Sequence, residues 1–433
     1  MLVVRSLKRH DIAIPYTPLF FILVGIVNVK HKLDALTSLR FFAAAMIVLT
    51  HAHPIFGSFG IAEAAPLGQG VSFFFVLSGF ILAYNYKDFS KDGSVKRFLV
   101  ARFARVWPLH LVTCIMWIGL IFHFDRYTYF GGETGMLRLI SNLTLVQSWI
   151  PLKLWALSFN GVAWSISNEM FFYLLFPLLI GLWSKHWAKL FFAATLIVVA
   201  FIWAGNALEL KSTDNYNGVS LLGTIYFNPM VRVFEFMFGI FLAKVFMTPA
   251  VHEFKARALG WLYLELMALG LVVAGMLLAG NPARIAATFG TAAGYYFQRE
   301  GIWLIWGILI LVFALSKGPI GALLSTRPLV FLGEISFSLY LVHAILITFI
   351  EPYTEAIKPF GLTGYAIFWV VALTFSAILY KGIEDPCRHL IMNAWDRRHT
   401  SVTKNLKSSY SPVAISCVLV LIGTVAAFHL NRF

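Results

Sequence analysis

Apolar runs of bilayer length, separated by short polar turns, dominate the chain from residue 36 onward. A window of about 19 residues places spans near 36–55, 66–86, 106–124, 163–183, 187–205, 225–247, 259–280, 301–316, 328–350, 361–381 and 412–430. This pattern predicts an all-α fold, a polytopic membrane helix bundle with about 10–11 transmembrane helices. The apolar piece around Leu143–Trp149 is too short to span and reads as a re-entrant or interfacial helix. A polar linker, NPARIAATFGTAAGYYFQRE, separates the seventh and eighth spans. Residues 33–390 form the membrane domain and 391–411 a polar cytoplasmic linker, with a final transmembrane helix and short tail at 412–433. Residues 1–32 read as a cytoplasmic or interfacial extension, or as lying upstream of the natural start. Were 12–29 a further span, Arg5, Lys8 and Arg9 would lie outside, and Pro15 and Pro18 would weaken its first turns.

Composition fixes the solvent. Hydrophobic residues make up 59% of the 433-residue chain and charged residues 12%, with a mean hydropathy of +0.79, which excludes an ordinary soluble domain. The excess of 34 Lys and Arg over 20 Asp and Glu suggests nucleic acid until the loops are counted. With the loop after the second span cytoplasmic, 24 Lys and Arg fall inside and 8 outside, a positive-inside distribution that needs no nucleic acid to explain it. Cys114, Cys387 and Cys417 lie far apart in sequence, in a pattern that predicts neither disulfides nor a zinc site.

The polar residues inside the spans are the candidates for chemistry, because a charge in hydrocarbon must face protein or water. In SLRFFAAAMIVLTHAHP, Arg40 and His51 are eleven residues apart. On a helix that is one face, three turns and about 16 Å. The plainer alternatives are that Arg40 snorkels to the headgroups and His51 only caps the outer end. Glu169 in WSISNEMFFYLLFP and His343 in GEISFSLYLVH are read at the depth of His51, in the outer half. Arg102 and Arg105 of ARFARVWPLH enter from the cytoplasmic side with Arg40. Arg232 and Glu235 of NPMVRVFEF lie at i and i+3, where they satisfy each other. Ser78 and Gly79 read as a close-packing position between helices.

SLRFFAAAMIVLTHAHP resembles the Arg-x10-His signature of the integral membrane acyltransferase type 3 family. FFFVLSGFIL, ARFARVWPLH, WSISNEMFFYLLFP, NPMVRVFEFMFGIFLA and GEISFSLYLVH are similar to its further blocks, in order, and IEDPCRHL is similar to the close of its tenth span. The resemblance implies O-acylation of a carbohydrate or another extracytoplasmic acceptor, with a cytoplasmic coenzyme A thioester as donor.

On that reading His51 is the general base, since neutral imidazole has a pKa near the working pH. The resemblance puts Arg40 in the same site, polarising the thioester carbonyl or binding donor phosphates. Arg102 and Arg105 become candidates for the coenzyme A phosphates, and Glu169 joins the catalytic set. His343, Arg232 and Glu235 are possible acceptor or supporting residues. The expectation is therefore a bacterial inner-membrane O-acetyltransferase, with acetyl-CoA as donor substrate, no metal and no tightly bound cofactor. Its partners are membrane lipids and a polysaccharide, lipopolysaccharide or lipid-linked glycan. A transporter of a glycan or anionic substrate is the alternative, since intramembrane Arg, His and Glu would also suit a pathway.

Overall fold

The computed structural model describes residues 33–399, apart from 58–64, 92, 125–133, 215–217 and 253–256. Helices account for nearly all of it, and among the described residues the one β-type pairing is an isolated bridge between Leu152 and Val219. The labelled helices are α1 (Asp34–Phe56), α2 (Gly70–Asn85), α3 (Ser94–His123), α4 (Gly135–Leu143), α5 (Trp164–Ala207), α6 (Pro229–Phe246) and α7 (Ala258–Gly280). They continue as α8 (Thr291–Glu300), α9 (Trp303–Leu315), α10 (Arg327–Glu334), α11 (Ser336–Ile350), α12 (Gly361–Leu379) and α13 (Asp385–His399). Seven helical stretches among the described residues are long and apolar enough to cross a bilayer, and every one of the first ten predicted spans coincides with helix. The segments 12–29 and 412–430 lie outside the described residues.

Helix α5 runs for 44 residues, which would be about 66 Å if straight, twice a hydrocarbon core. Its two ends nevertheless meet the same short segment. The Trp164 ring packs at a tilt against Tyr226, centroids 4.7 Å apart, while Gly205 lies against the side chains of Leu221 and Ile225. The chain therefore doubles back, and the exposed polar residues Lys185, His186 and Lys189 mark the bend. The arms are the fourth and fifth predicted spans, abutting without a loop.

Three predicted boundaries shift. The seventh-to-eighth linker is not all loop: α8 occupies 291–300 and precedes α9 after a break at Gly301–Ile302. The ninth span breaks at Ile335, between α10 and α11. Residues 391–399, read as linker, continue α13, and Asp396 accepts two 3.0 Å bonds from Arg97 at the start of α3.

The piece around Leu143–Trp149 is buried rather than interfacial. Gln147 and Ser148 are fully buried. Ser148 Oγ donates to Asn168 Oδ1 at 2.7 Å, and Gln147 Nε2 donates to the Ala163 carbonyl at 3.1 Å. Asn160 Nδ2 donates to the Leu341 carbonyl of α11 at 3.0 Å. This polar segment covers the start of α5 and places it inside the protein.

The closest helix pair is α2 with α6. A Cβ on Gly79 would sit 1.9 Å from the Phe236 carbonyl oxygen, and one on Gly239 1.9 Å from that of Val76. Hydrocarbon gives no hydrophobic drive for helix association, so small residues at the crossing supply contact instead. Gly79→Ala should lower the thermal midpoint in detergent by several degrees, because backbone cannot yield to the methyl group and overpacking costs about 1–3 kcal/mol. Gly119→Ala in α3, where a Cβ meets nothing within 4 Å, should leave it unchanged or raised. Equal shifts for the two variants would contradict the close crossing.

Candidate active site

A cavity of about 140 Å³ lies between α1, α2, α3, α5 and α11. One wall carries Arg40 from α1, Arg102 and Arg105 from α3, and Glu169 and Tyr173 from α5. The cavity is also lined by the apolar Phe74, Phe75, Ile81 and Leu82 from α2 and Phe337 from α11. Ser165 and Tyr340 complete it, and Ser78 lines it as well. The sequence expectation for LSGF is thus divided: Gly79 makes the helix crossing, while Ser78 faces the cavity.

The three arginines are not equivalent. Arg105 pairs with Glu384, which is buried in the π-helical turn Tyr380–Glu384 between α12 and α13 and accepts a 2.8 Å bond from Ser338 Oγ. Arg102 has its guanidinium carbon 5.9 Å from the rings of Tyr86 and Phe98, and its Nε is buried with no hydrogen-bond partner. Arg40 lines the cavity with no carboxylate in ion-pair contact among the described residues. Glu169 accepts from the Tyr173 hydroxyl at 2.7 Å and lies in the field of all three arginines. Three guanidiniums face two carboxylates, so the chamber carries surplus positive charge suited to an anionic group.

His51 and His343 form a separate centre. His51 Nδ1 and His343 Nε2 are 2.9 Å apart. The 5.2 Å centroid separation equals that bond plus the two ring radii, and the planes differ by 6°, so the rings meet edge to edge. His343 is buried and His51 is exposed. Tyr340, one turn before His343, links the two centres: its hydroxyl donates to the Val162 carbonyl and accepts from Ser165 Oγ, both at 2.8 Å.

The structure regroups one predicted residue. Glu169, read at the depth of the histidines and as able to orient a histidine, bind an acceptor hydroxyl or pair with an arginine, lines the arginine chamber. Ser165 and Tyr340 are level, and α5 and α11 run antiparallel, so four residues down one helix and three up the other put Glu169 and His343 about 10 Å apart. The buried segment at 144–163 packs over the start of α5 through Gln147 and Ser148. Arg40 and His51 do share a face of α1, about 16 Å apart by helix rise. Because helical side chains tilt toward the N-terminus, the Arg40 guanidinium leans away from His51.

Arg232 and Glu235 pair at 3.0 Å as the sequence indicated, and a third partner joins them: Glu300, at 2.8 Å. All three are fully buried. Arg232 also donates to Ser72 Oγ at 3.2 Å and lies 4.9 Å from the Phe75 ring, so the cluster braces the cavity wall from behind. Glu300, Glu384, Tyr173 and Tyr340 escaped the sequence reading. IEDP held the signal for Glu384, SLYLVH for Tyr340, and the i,i+4 spacing from Glu169 for Tyr173.

The acyltransferase domain family matches residues 33–381, more than half of the chain. This chain belongs to that family. It is 32% identical over 394 residues to the acyltransferase MdmB of Streptomyces mycarofaciens, covering 83% of this chain and 92% of that protein. It is 25% identical to nodulation protein 10 of Rhizobium leguminosarum bv. viciae, covering 83% and 94% respectively. With the O-acetyltransferase OatA of Staphylococcus aureus it is 23% identical, covering 82% of this chain but 57% of the relative. No solved structure matches significantly. The chain is an integral membrane O-acyltransferase, and its relatives' activities decide for an enzyme over a transporter.

Removing one partner of a buried ion pair costs about 3–5 kcal/mol, because the other charge stays behind. Glu384→Gln should therefore lower the thermal midpoint, and adding Arg105→Met should recover most of that loss while the enzyme stays impaired. A double variant no more stable than the single would show that the two groups are not coupled.

Proposed function

We propose that this acyltransferase moves an acyl group, by preference acetyl, from cytoplasmic acyl-CoA to a hydroxyl of an extracytoplasmic or lipid-linked carbohydrate. The observation that carries the reading is the separation on one helix frame of a surplus-positive chamber and an accessible histidine. Arg40, Arg102 and Arg105 suit the phosphates of the donor, and guanidinium forks bind phosphate bidentately. The positive-inside count puts that end of α1 on the cytoplasmic side, where acyl-CoA is made.

The thioester end of an extended pantetheine arm then reaches toward His51. With its backbone about 16 Å along α1 from that of His51, Arg40 serves phosphate binding and not polarisation of the carbonyl. The acceptor hydroxyl gives its proton to His51 as its oxygen attacks the thioester carbon; the C–S bond breaks, and the thiolate collects that proton. Glu169 holds the chamber's arginines apart and in place. Arg232 and Glu235 support the wall and touch neither substrate. Donor and acceptor are exchanged substrates with no resident cofactor, and the setting is a bacterial inner membrane.

Ester analysis of surface glycans provides the test. Cells carrying the intact chain should hold an O-acyl ester that disappears in His51→Ala, by about 100-fold or more in turnover, with the variant present in the membrane at normal level. Unchanged glycan esters with and without the chain, or near-normal turnover in His51→Ala, would overturn the reading.

A further inference from the structure

His51 is a base only if the nitrogen it presents to the acceptor carries a lone pair, and the hydrogen-bond chain fixes which nitrogen that is. His343 Nδ1 lies 3.1 Å from the Leu339 carbonyl oxygen, which can only accept. Nδ1 of His343 therefore bears the hydrogen, and in the neutral ring its Nε2 is an acceptor. That Nε2 is 2.9 Å from His51 Nδ1. His51 Nδ1 must then donate, which leaves His51 Nε2 bare. His51 keeps open surface while His343 is fully buried, so the bare nitrogen belongs to the ring that is not enclosed by protein.

From this we infer that His343 is the positioning residue for His51: it selects the tautomer with a free Nε2, holds the ring edge-on, and accepts from the imidazolium that forms during transfer. The inference rests on the acyltransferase reading above. The α11 backbone carbonyl does the work a carboxylate does in a nucleophile–histidine–acid arrangement, at one remove, by fixing His343. A neutral acceptor suits the location, because a buried carboxylate here would need its own counter-charge. Tyr340 stiffens the same turn of α11 through its two 2.8 Å bonds to the start of α5.

The proton inventory closes. In the resting state each ring holds one hydrogen. During transfer His51 Nε2 takes the acceptor's hydroxyl proton, so His51 carries two hydrogens and one positive charge, with Nδ1–H still directed at His343 Nε2. Return of the Nε2 proton to the leaving thiolate restores the pair.

Two variants and a spectrum test the inference. His343→Leu keeps volume but removes the acceptor; kcat should fall about 100-fold, with KM for donor and acceptor each within about twofold. His343→Gln places an amide oxygen near the lost nitrogen and should recover kcat to within about tenfold of the parent. Nitrogen-15 spectra of histidine-labelled protein should show His51 protonated at Nδ1 and bare at Nε2, and a mixture of tautomers in His343→Leu. A kcat in His343→Leu near that of the parent, a loss appearing in KM alone, or His51 protonated at Nε2 in the parent would overturn it. If His343→Leu does not fold, the parent spectrum and the Gln variant still decide. Should His51→Ala prove active, the acyltransferase assignment of His51 fails; should only the His343 results go the other way, that assignment stands and the positioning role falls.

Discussion

A guanidinium inside a membrane protein must find either a carboxylate or an anionic guest, and this constraint organises the bundle. Arg232 is the most heavily compensated case: two carboxylates, a serine hydroxyl and an aromatic face surround it. Arg105 is half committed, paired with Glu384 yet lining the cavity. Arg40 and Arg102 are uncommitted, with an unpartnered Nε on Arg102. The same residue type thus grades from brace to binding group over neighbouring helices. The difference lies wholly in how many carboxylates the fold delivers to each.

Delivering them requires irregular backbone at depth, which hydrocarbon tolerates only where protein covers it. The segment 144–163 is such a case. Ser148 bonds Ser167 and Asn168 of α5, Gln147 donates to the Ala163 carbonyl just before α5, and Asn160 donates to the Leu341 carbonyl of α11, while Leu145 and Phe159 hold positive φ of 58° within the segment. The segment packs against the helix that brings Glu169 to the arginines. The glycine crossing of α2 and α6 brings Phe75 onto Arg232, so the brace and the cavity wall share one ring.

Much of this was legible in the sequence. Span-length apolar runs located the helices, and the eleven-residue spacing put Arg40 and His51 on one face. The spacing of Arg232 and Glu235 gave their pairing. Depth was harder to read. Glu169 was assigned by counting residues from an assumed surface, and hydropathy cannot see that a polar segment covers a helix start. Long-range partners were invisible for a related reason: Arg105 with Glu384 and Arg232 with Glu300 join residues far apart in sequence, and no periodicity links them. The two arms of α5 were read from hydropathy as separate spans, 163–183 and 187–205.

The central claim is that donor binding and proton transfer are separate in space, the first in the arginine chamber and the second at the histidine pair. Equilibrium binding of coenzyme A to the purified protein addresses it most directly. Arg102→Ala should weaken binding about tenfold or more, the loss of one charge-assisted contact of about 1.5–3 kcal/mol. His51→Ala, though inactive, should bind within about twofold of the parent, because removal of an imidazole some 16 Å along α1 from Arg40 leaves the phosphate groups untouched. Full binding in Arg102→Ala together with lost binding in His51→Ala would contradict the account.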